Sequence, residues 1–202
     1  MAVTTTIDLI RHGEPVGGKK YRGQIDDPLS GKGWKQMRAA VGDACPWNRI
    51  ISSSLSRCAD FAQELAQRHQ LPLELDSRLT EIGFGVWEGK TAEEIMAEDP
   101  QALINFWQDP AGYRPEGAEA LPDFAQRVIA GFDQAVAQYP GQHLLMVGHA
   151  GMMRMILRHV LDMPLEAMFK IEVPNAGISR IKIDHHDQGT LMRLCFHAGK
   201  LC

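Results

Sequence analysis

Short apolar runs rich in β-branched residues alternate with helical patterns along this chain, and that alternation limits the fold more than any other feature. Strands are predicted at residues 5–10, 49–51, 73–75 and 143–147, and apolar residues at helical spacing follow the first, second and fourth of them. Parallel strands need such helical crossovers, and the helices then cover both faces of the sheet. The pattern predicts an α/β fold with three α/β/α layers and a mainly parallel sheet.

The remaining segments complete the predicted organisation. Ser30 is expected to cap the first helix, and residues 178–183 and 191–196 are expected to pair as a hairpin joined by residues 185–189. Between residues 83 and 122, glycines, prolines and aromatics surround a single predicted helix at 92–98. At 202 residues the chain fits one domain, 1–202, and we expect the segment at about 83–122 to be an inserted, lid-like part of it.

Composition excludes several classes of function. The net charge of −4 and the scattered basic residues argue against nucleic acid as a partner. No apolar run is long enough to span a membrane, and the first residues do not resemble a signal peptide. The four cysteines, Cys45, Cys58, Cys195 and Cys202, show no CxxC spacing, which favours reduced thiols and a cytoplasmic location. No sequence feature sets the oligomeric state, so a homodimer stays open.

Polar residues follow three of the predicted strands. Arg11 and His12 end the first, residues 52–57 with Arg57 follow the second, and His149 follows the strand at 143–147. The carboxyl ends of parallel strands meet at one sheet edge, where ligands bind in such folds. Helices start directly after the second and fourth of these strands, and helix N-termini attract anions. Two arginines and two histidines at this edge favour a phosphate-bearing ligand over a carboxylate.

Four motifs in order give this chain a family resemblance. LIRHGE, SSSLSRCADFA, LTEIGFGVWEG and VGHAG together resemble the histidine phosphatase superfamily, the phosphoglycerate mutase-like group. The stretch YRGQIDDPLSGKGWKQM is similar to the α-ribazole phosphatase branch. The resemblance covers nearly the whole chain. It implies a three-layer sandwich and hydrolysis of the phosphate monoester of a small metabolite, with α-ribazole 5′-phosphate as the most specific expectation.

The resemblance also implies roles for individual residues. His12 would be the nucleophile that takes up the phosphoryl group, and Glu81 would give the leaving group its proton. Arg11, Arg57 and His149 would hold the phosphate oxygens, with His149 counted among the catalytic residues. His12 must be neutral to attack, and the neighbouring Arg11, Arg57 and His149 would lower its pKa below the free value of roughly 6.5. Because two arginines supply the positive charge, we expect no metal and no cofactor.

Two segments are expected to select the leaving group. One is the loop after the nucleophile, with Arg22, Gly23 and Gln24. The other is the inserted segment, where Trp107 and neighbouring aromatics do not follow a regular core period. These rings either pack the insertion onto the body or form a lid, and a lid would stack on a flat leaving group.

Two departures from the family pattern and two alternatives stay open. Pro15 stands where many relatives have a hydroxyl residue, and residues 117–120 read GAEA where a G-E-S stretch is frequent. The first alternative is a 2,3-bisphosphoglycerate-dependent mutase, although the insertion is short and nearly free of Lys and Arg. The second is a regulatory module acting on phosphohistidine proteins, although such small relatives usually lack an aromatic insertion.

Overall fold

The structure of the protein is a computed structural model, which describes residues 3–43 and 45–199. A six-stranded sheet lies at its centre, with strand order β3-β2-β4-β1-β5-β6. Strands β1 to β4 are parallel, whereas β5 is antiparallel to β1 and β6 is antiparallel to β5. The strands are β1 (Val3–Arg11), β2 (Arg49–Ser52), β3 (Leu73–Leu75), β4 (His143–Gly148), β5 (Ile178–His186) and β6 (Gly189–Gly199).

Helices cover both faces of this sheet. They are α1 (Gly31–Val41), α2 (Ser56–His69), α3 (Ala92–Glu98), α4 (Ala102–Gln108), α5 (Leu121–Gln138) and α6 (Ala150–Val160). Successive residues of β4 belong to different cores, since Leu144 packs with α5 and α6 whereas Leu145 packs with α1 and α2. Side chains of a strand point alternately to the two faces, so a strand covered on both sides is apolar throughout. The predicted three-layer α/β/α fold is confirmed.

The inserted segment contains a second α-helix, α4, beside the one predicted from the sequence. Helix α4 has only seven residues, too few for a helical period to stand out. Leu103 and Phe106 lie on one of its faces and join a small separate core with Trp87 and Ile95. The adjacent Trp107 is on another face and is 48% exposed, against 3% for Phe106.

Local details agree with the predicted elements or extend them. Ser30 caps α1, because its side chain accepts a hydrogen bond from the Gly33 N–H. The final hairpin turns at residues 187–188, so that β5 continues through two positions predicted to be loop. Three cysteines are free thiols, and Cys202 lies outside the described residues. None of the helices within residues 3–43 and 45–199 is long and apolar enough to cross a membrane.

Candidate active site

The three polar strand ends meet at one edge of the sheet. Strand β4 lies between β1 and β2, so Arg11 pairs with Gly148 and Ser52 pairs with Val147. The His12 N–H donates to the Gly148 carbonyl at 2.8 Å, which continues this pairing beyond the strand. A cavity of about 850 Å³ opens here, lined among others by Arg11, His12, Arg57 and Glu81. Its size is typical of a site for a small ligand.

His12 is buried, and one of its ring nitrogens is occupied by the protein. Nδ1 lies 2.7 Å from the Gly13 carbonyl oxygen, which can only accept, so Nδ1 carries the proton. Burial, followed by the positive charge of Arg11, lowers the pKa of His12 to about 3. The imidazole is therefore neutral near pH 7, and the Nε2 lone pair is available for attack on phosphorus.

His149 lies against His12, with the ring centroids 5.2 Å apart. Burial lowers its pKa as well, followed by the charge of Arg57, so this ring is also neutral. Its Nε2 is 2.8 Å from the Ser53 hydroxyl, which holds the ring in one orientation. The Cys58 thiol packs on the same ring at 3.6 Å. Burial raises the pKa of that thiol, so Cys58 is an unreactive packing group.

Two of the four arginines that line the cavity, Arg11 and Arg57, each have a buried donor that no acceptor among the described residues uses. Arg57 is 1% exposed, and its Nη1 and Nη2 donate to the carbonyls of Ile25 and Gly23 at 2.6 and 2.8 Å. Arg11 Nη1 donates to the Val173 carbonyl at 2.6 Å. The Nε–H of both side chains is buried without an acceptor among the described residues. Because Arg11 and Arg57 also line the cavity, these two donors are candidates to bind an anionic ligand there.

Burial does not remove the positive charge from this cavity. It lowers the pKa of Arg11 to about 10, which leaves the guanidinium protonated near neutral pH. Seven basic side chains line the cavity against four acidic ones. The outer basic group includes Lys19, Lys20 and Lys32. An excess of positive charge in a concave site draws in anionic ligands.

The Glu81 carboxylate lies at the beginning of helix α6. Oε2 accepts from the Gly151 N–H and Oε1 accepts from the Ile82 N–H, both at 3.1 Å. A Cβ atom on Gly151 would lie 2.2 Å from Oε1, so the carboxylate reaches the helix only because residue 151 is glycine. This glycine is the last residue of the VGHAG motif, from which no role for it was predicted.

The side chains of the loop after His12 are bonded mainly to other parts of the protein. Arg22 and Gly23 line the cavity, but Arg22 binds Asp27 at 2.9 Å and the Val16 carbonyl at 2.6 Å. Gln24 is outside the cavity lining, and its amide donates to the Glu81 carbonyl. The side chains of Arg22 and Gln24 therefore stabilise the structure around the cavity, and of the two only Arg22 also lines it.

The aromatic wall of the cavity differs from the predicted one. Trp107 does not line the cavity, because α4 turns Phe106 into the small core and leaves Trp107 on its outer surface beside Tyr21. Tyr21 and Phe84 line the cavity, with ring centroids 5.1 Å apart. This corrects the lid prediction in one respect: the aromatic rings that line the cavity are those of Tyr21 and Phe84.

Arg154 also lines the cavity and was missed by the sequence analysis. It is partly buried on α6, where its Nε donates to the Ile171 carbonyl at 2.9 Å and its guanidinium lies over Phe169. Burial lowers its pKa. The sequence signal that could have identified Arg154 is the position of a charged residue inside the apolar stretch MMRMIL. Within the described ranges, no group of three or more His, Cys, Asp or Glu side chains is arranged to hold a metal ion.

Comparisons with known proteins agree with this geometry. A family model described as histidine phosphatase superfamily (branch 1) matches residues 7–195. The bifunctional protein Rv2228c of Mycobacterium tuberculosis is 31% identical over 202 residues, covering 98% of this chain and 55% of that protein. The adenosylcobalamin/alpha-ribazole phosphatase of Escherichia coli is 29% identical over 183 residues, covering 87% of this chain and 89% of that protein.

A solved structure gives the same result. The native structure of mycobacterial glucosyl-3-phosphoglycerate phosphatase Rv2419c superposes with a TM-score of 0.85 at 27% identity, covering 97% of this chain and 99% of that one. The chain spans about half the length of the Mycobacterium tuberculosis relative. With the family model matching nearly its whole length, the chain belongs to the histidine phosphatase superfamily, branch 1.

Proposed function

We propose that this protein hydrolyses the phosphate monoester of a small metabolite through a phosphohistidine on His12. The observation that carries the proposal is the state of His12: a neutral ring that lines the cavity, with its proton on Nδ1 held by the Gly13 carbonyl and its Nε2 unprotonated. Arg11 and Arg57 line the same cavity, and their buried Nε–H groups, which have no acceptor among the described residues, are the donors that we propose for the phosphate. The phosphatases among the relatives support the same reaction class.

The first step transfers the phosphoryl group. His12 Nε2 forms a bond to phosphorus as the bond from phosphorus to the ester oxygen breaks. Glu81, in its acid form, gives its proton to the departing oxygen, so the product leaves as an alcohol. Arg11 and Arg57 stabilise the charge on the transferring group as positioned cations, and His149 supports the site from beside the His12 ring.

The second step releases phosphate. Water attacks the phosphohistidine, the nitrogen–phosphorus bond breaks, and the Glu81 carboxylate takes up a proton from the water. His12 returns to its neutral state, and both residues are ready for the next ester. The proposed mechanism needs no metal, because Arg11 and Arg57 supply the positive charge that a metal would otherwise provide.

Which ester the protein selects depends on the part of the cavity that surrounds the leaving group. α-Ribazole 5′-phosphate is the specific substrate that we propose first, supported by the YRGQIDDPLSGKGWKQM resemblance and by the name of the Escherichia coli relative. Tyr21 and Phe84 offer a flat leaving group aromatic contacts worth about 0.5–1.5 kcal/mol each. Hydrolysis is favoured over mutase chemistry because the inserted segment carries only Lys90 and Arg114 as basic residues. The free thiols fit the cytoplasmic location that we propose.

A phosphate-release assay over a panel of monoesters tests the proposal. The panel contains α-ribazole 5′-phosphate, nucleoside monophosphates, glycerol 3-phosphate, 3-phosphoglycerate and p-nitrophenyl phosphate. Rapid quench should trap an acid-labile, base-stable phosphoprotein that His12→Ala abolishes. The matched control is His186→Ala, which removes an exposed histidine at the far end of β5. Near-native turnover by His12→Ala would show that His12 is not the nucleophile.

A further inference from the structure

We propose that Arg127 is a positioning residue for the general acid Glu81, with Glu119 as its fixed counter-ion. The inference rests on the proposed function, since it concerns the proton donor of that reaction. Glu81 lies in residues 80–83, which form neither helix nor strand. Regular secondary structure therefore does not hold the acid in place, and other groups must pair with the backbone of this segment.

The guanidinium of Arg127 uses all of its N–H donors to hold this segment, either directly or through Glu119. Nη1 donates to the carbonyls of Arg78 and Thr80 at 2.7 and 2.9 Å. Nη2 donates to the Glu81 carbonyl at 2.9 Å. The two remaining N–H groups form a bidentate pair with Glu119, at 2.7 Å from Nε and 2.8 Å from Nη2. An arginine has five such donors in a rigid fork, so none is left over and the plane of the group is fixed.

Glu119 extends the same support past the acid. Its Oε2 accepts from the Gly83 N–H at 3.2 Å, and its own N–H donates to the Gly83 carbonyl at 2.9 Å. The pair thus binds the backbone before, at and after Glu81. Glu119 belongs to the stretch 117–120, where the sequence departs from the family pattern, so the structure assigns that stretch a role beneath the acid and away from the cavity lining.

The position of Arg127 is itself determined by its own helix. It lies on α5, and its guanidinium carbon is 4.8 Å from the centre of the Phe124 ring, one helical turn earlier. Phe124 is fully buried in the main core. Arg127 therefore connects a rigid helix to an irregular segment. Proton transfer depends steeply on geometry, and a shift of about 1 Å can cost about a hundredfold in rate.

The test compares two substrates that differ in their need for a proton. Glycerol 3-phosphate releases a poor leaving group and requires the acid, whereas p-nitrophenyl phosphate releases a good one. Arg127→Ala should lower kcat/KM for glycerol 3-phosphate by about tenfold to a hundredfold, and for p-nitrophenyl phosphate by no more than about threefold. The loss should appear in kcat, because the phosphate-binding arginines are untouched.

Arg38→Ala is the matched control. Arg38 also forms a bidentate pair, with Glu64, and also lies over an aromatic ring, Trp34, at 5.0 Å. It has no bond to the acid segment. Both substrates should react with Arg38→Ala at the native rate. If Arg127→Ala does not fold by circular dichroism, Arg127→Lys, which keeps the charge and loses the fork, takes its place in the same comparison.

A double mutant separates positioning from general destabilisation. In a Glu81→Gln background there is no proton to position, so adding Arg127→Ala should leave the rate for glycerol 3-phosphate unchanged within about twofold. Equal losses on both substrates, or a further loss in the double mutant, would overturn the inference. Either of these two results would refute the role of Arg127 alone, provided that the native protein still forms the phosphohistidine. A native protein that forms no phosphohistidine would instead refute the proposed function.

Discussion

Replacing Gly151 by alanine should remove general-acid help without harming the fold. The added Cβ would lie 2.2 Å from Glu81 Oε1, whereas ordinary contact starts at 3.4 Å. The carboxylate would have to retreat by about 1 Å and would lose the 3.1 Å bond from the Gly151 N–H. A displacement of that size costs about a hundredfold, or about 2.7 kcal/mol of transition-state stabilisation.

The free energy of unfolding of Gly151→Ala should stay unchanged or increase, in contrast to the rate. Residue 151 is the second residue of helix α6, and alanine is favoured over glycine within helices by about 1 kcal/mol. A contact of 3.3 Å with the Phe124 ring offsets part of that gain. A lower rate in a protein with an unchanged or higher Tm is thus the expected signature of a displaced acid.

The assay is kcat/KM across a series of phosphate esters ordered by leaving-group pKa. The loss with Gly151→Ala should grow as the leaving group becomes poorer and should nearly vanish for p-nitrophenyl phosphate. Gly31→Ala is the control, because it makes the same change in the first turn of α1, where a Cβ would meet nothing within 4 Å. A native rate on alkyl phosphates, or a uniform loss over the series, would refute the placement of Glu81 as the acid.

Three further predictions follow from the same site. Because the folded pKa of His12 is about 3 and the unfolded value is about 6.5, the unfolded state binds the extra proton, and stability falls as pH decreases below about 6.5. Between pH 7 and 5, His12→Asn should lose about 2 kcal/mol less than the native protein in urea unfolding, and equal losses would contradict the buried neutral ring. EDTA should leave the rate unchanged, whereas a tenfold loss restored by magnesium or zinc would show that the arginines are not sufficient. Tyr21→Ala should reduce the preference for α-ribazole 5′-phosphate over 3-phosphoglycerate more than Trp107→Ala does, and the reverse order would reinstate the predicted lid.

The meeting of four predicted site residues at one sheet edge was predictable, because it follows from where the strands end. Arg11 is the last residue of β1 and His12 follows it, whereas Arg57 and His149 lie at the starts of the helices after β2 and β4. Parallel strands bring such positions together regardless of the conformation of the loops. The outer cavity was less predictable. Whether a ring in the insertion faces a ligand depends on which face a seven-residue helix turns to its core, and α4 is too short for a pattern to reveal that.

The sequence by itself determined the layer order of the fold, the family and the residues that meet at the carboxyl ends of the strands, since each depends on local periodicity or on adjacent residues. Only the tertiary structure decided how Glu81 is held. Gly151, Arg127 and Glu119 are 38 to 70 residues away from it along the chain. The Gly151 N–H binds the Glu81 carboxylate, Arg127 binds the Glu81 carbonyl, and Glu119 binds the N–H of the neighbouring Gly83. A glycine that must be small and an arginine bound to three carbonyls look ordinary in a sequence. Their roles appear only when folding brings α5 and α6 to the irregular segment around the acid.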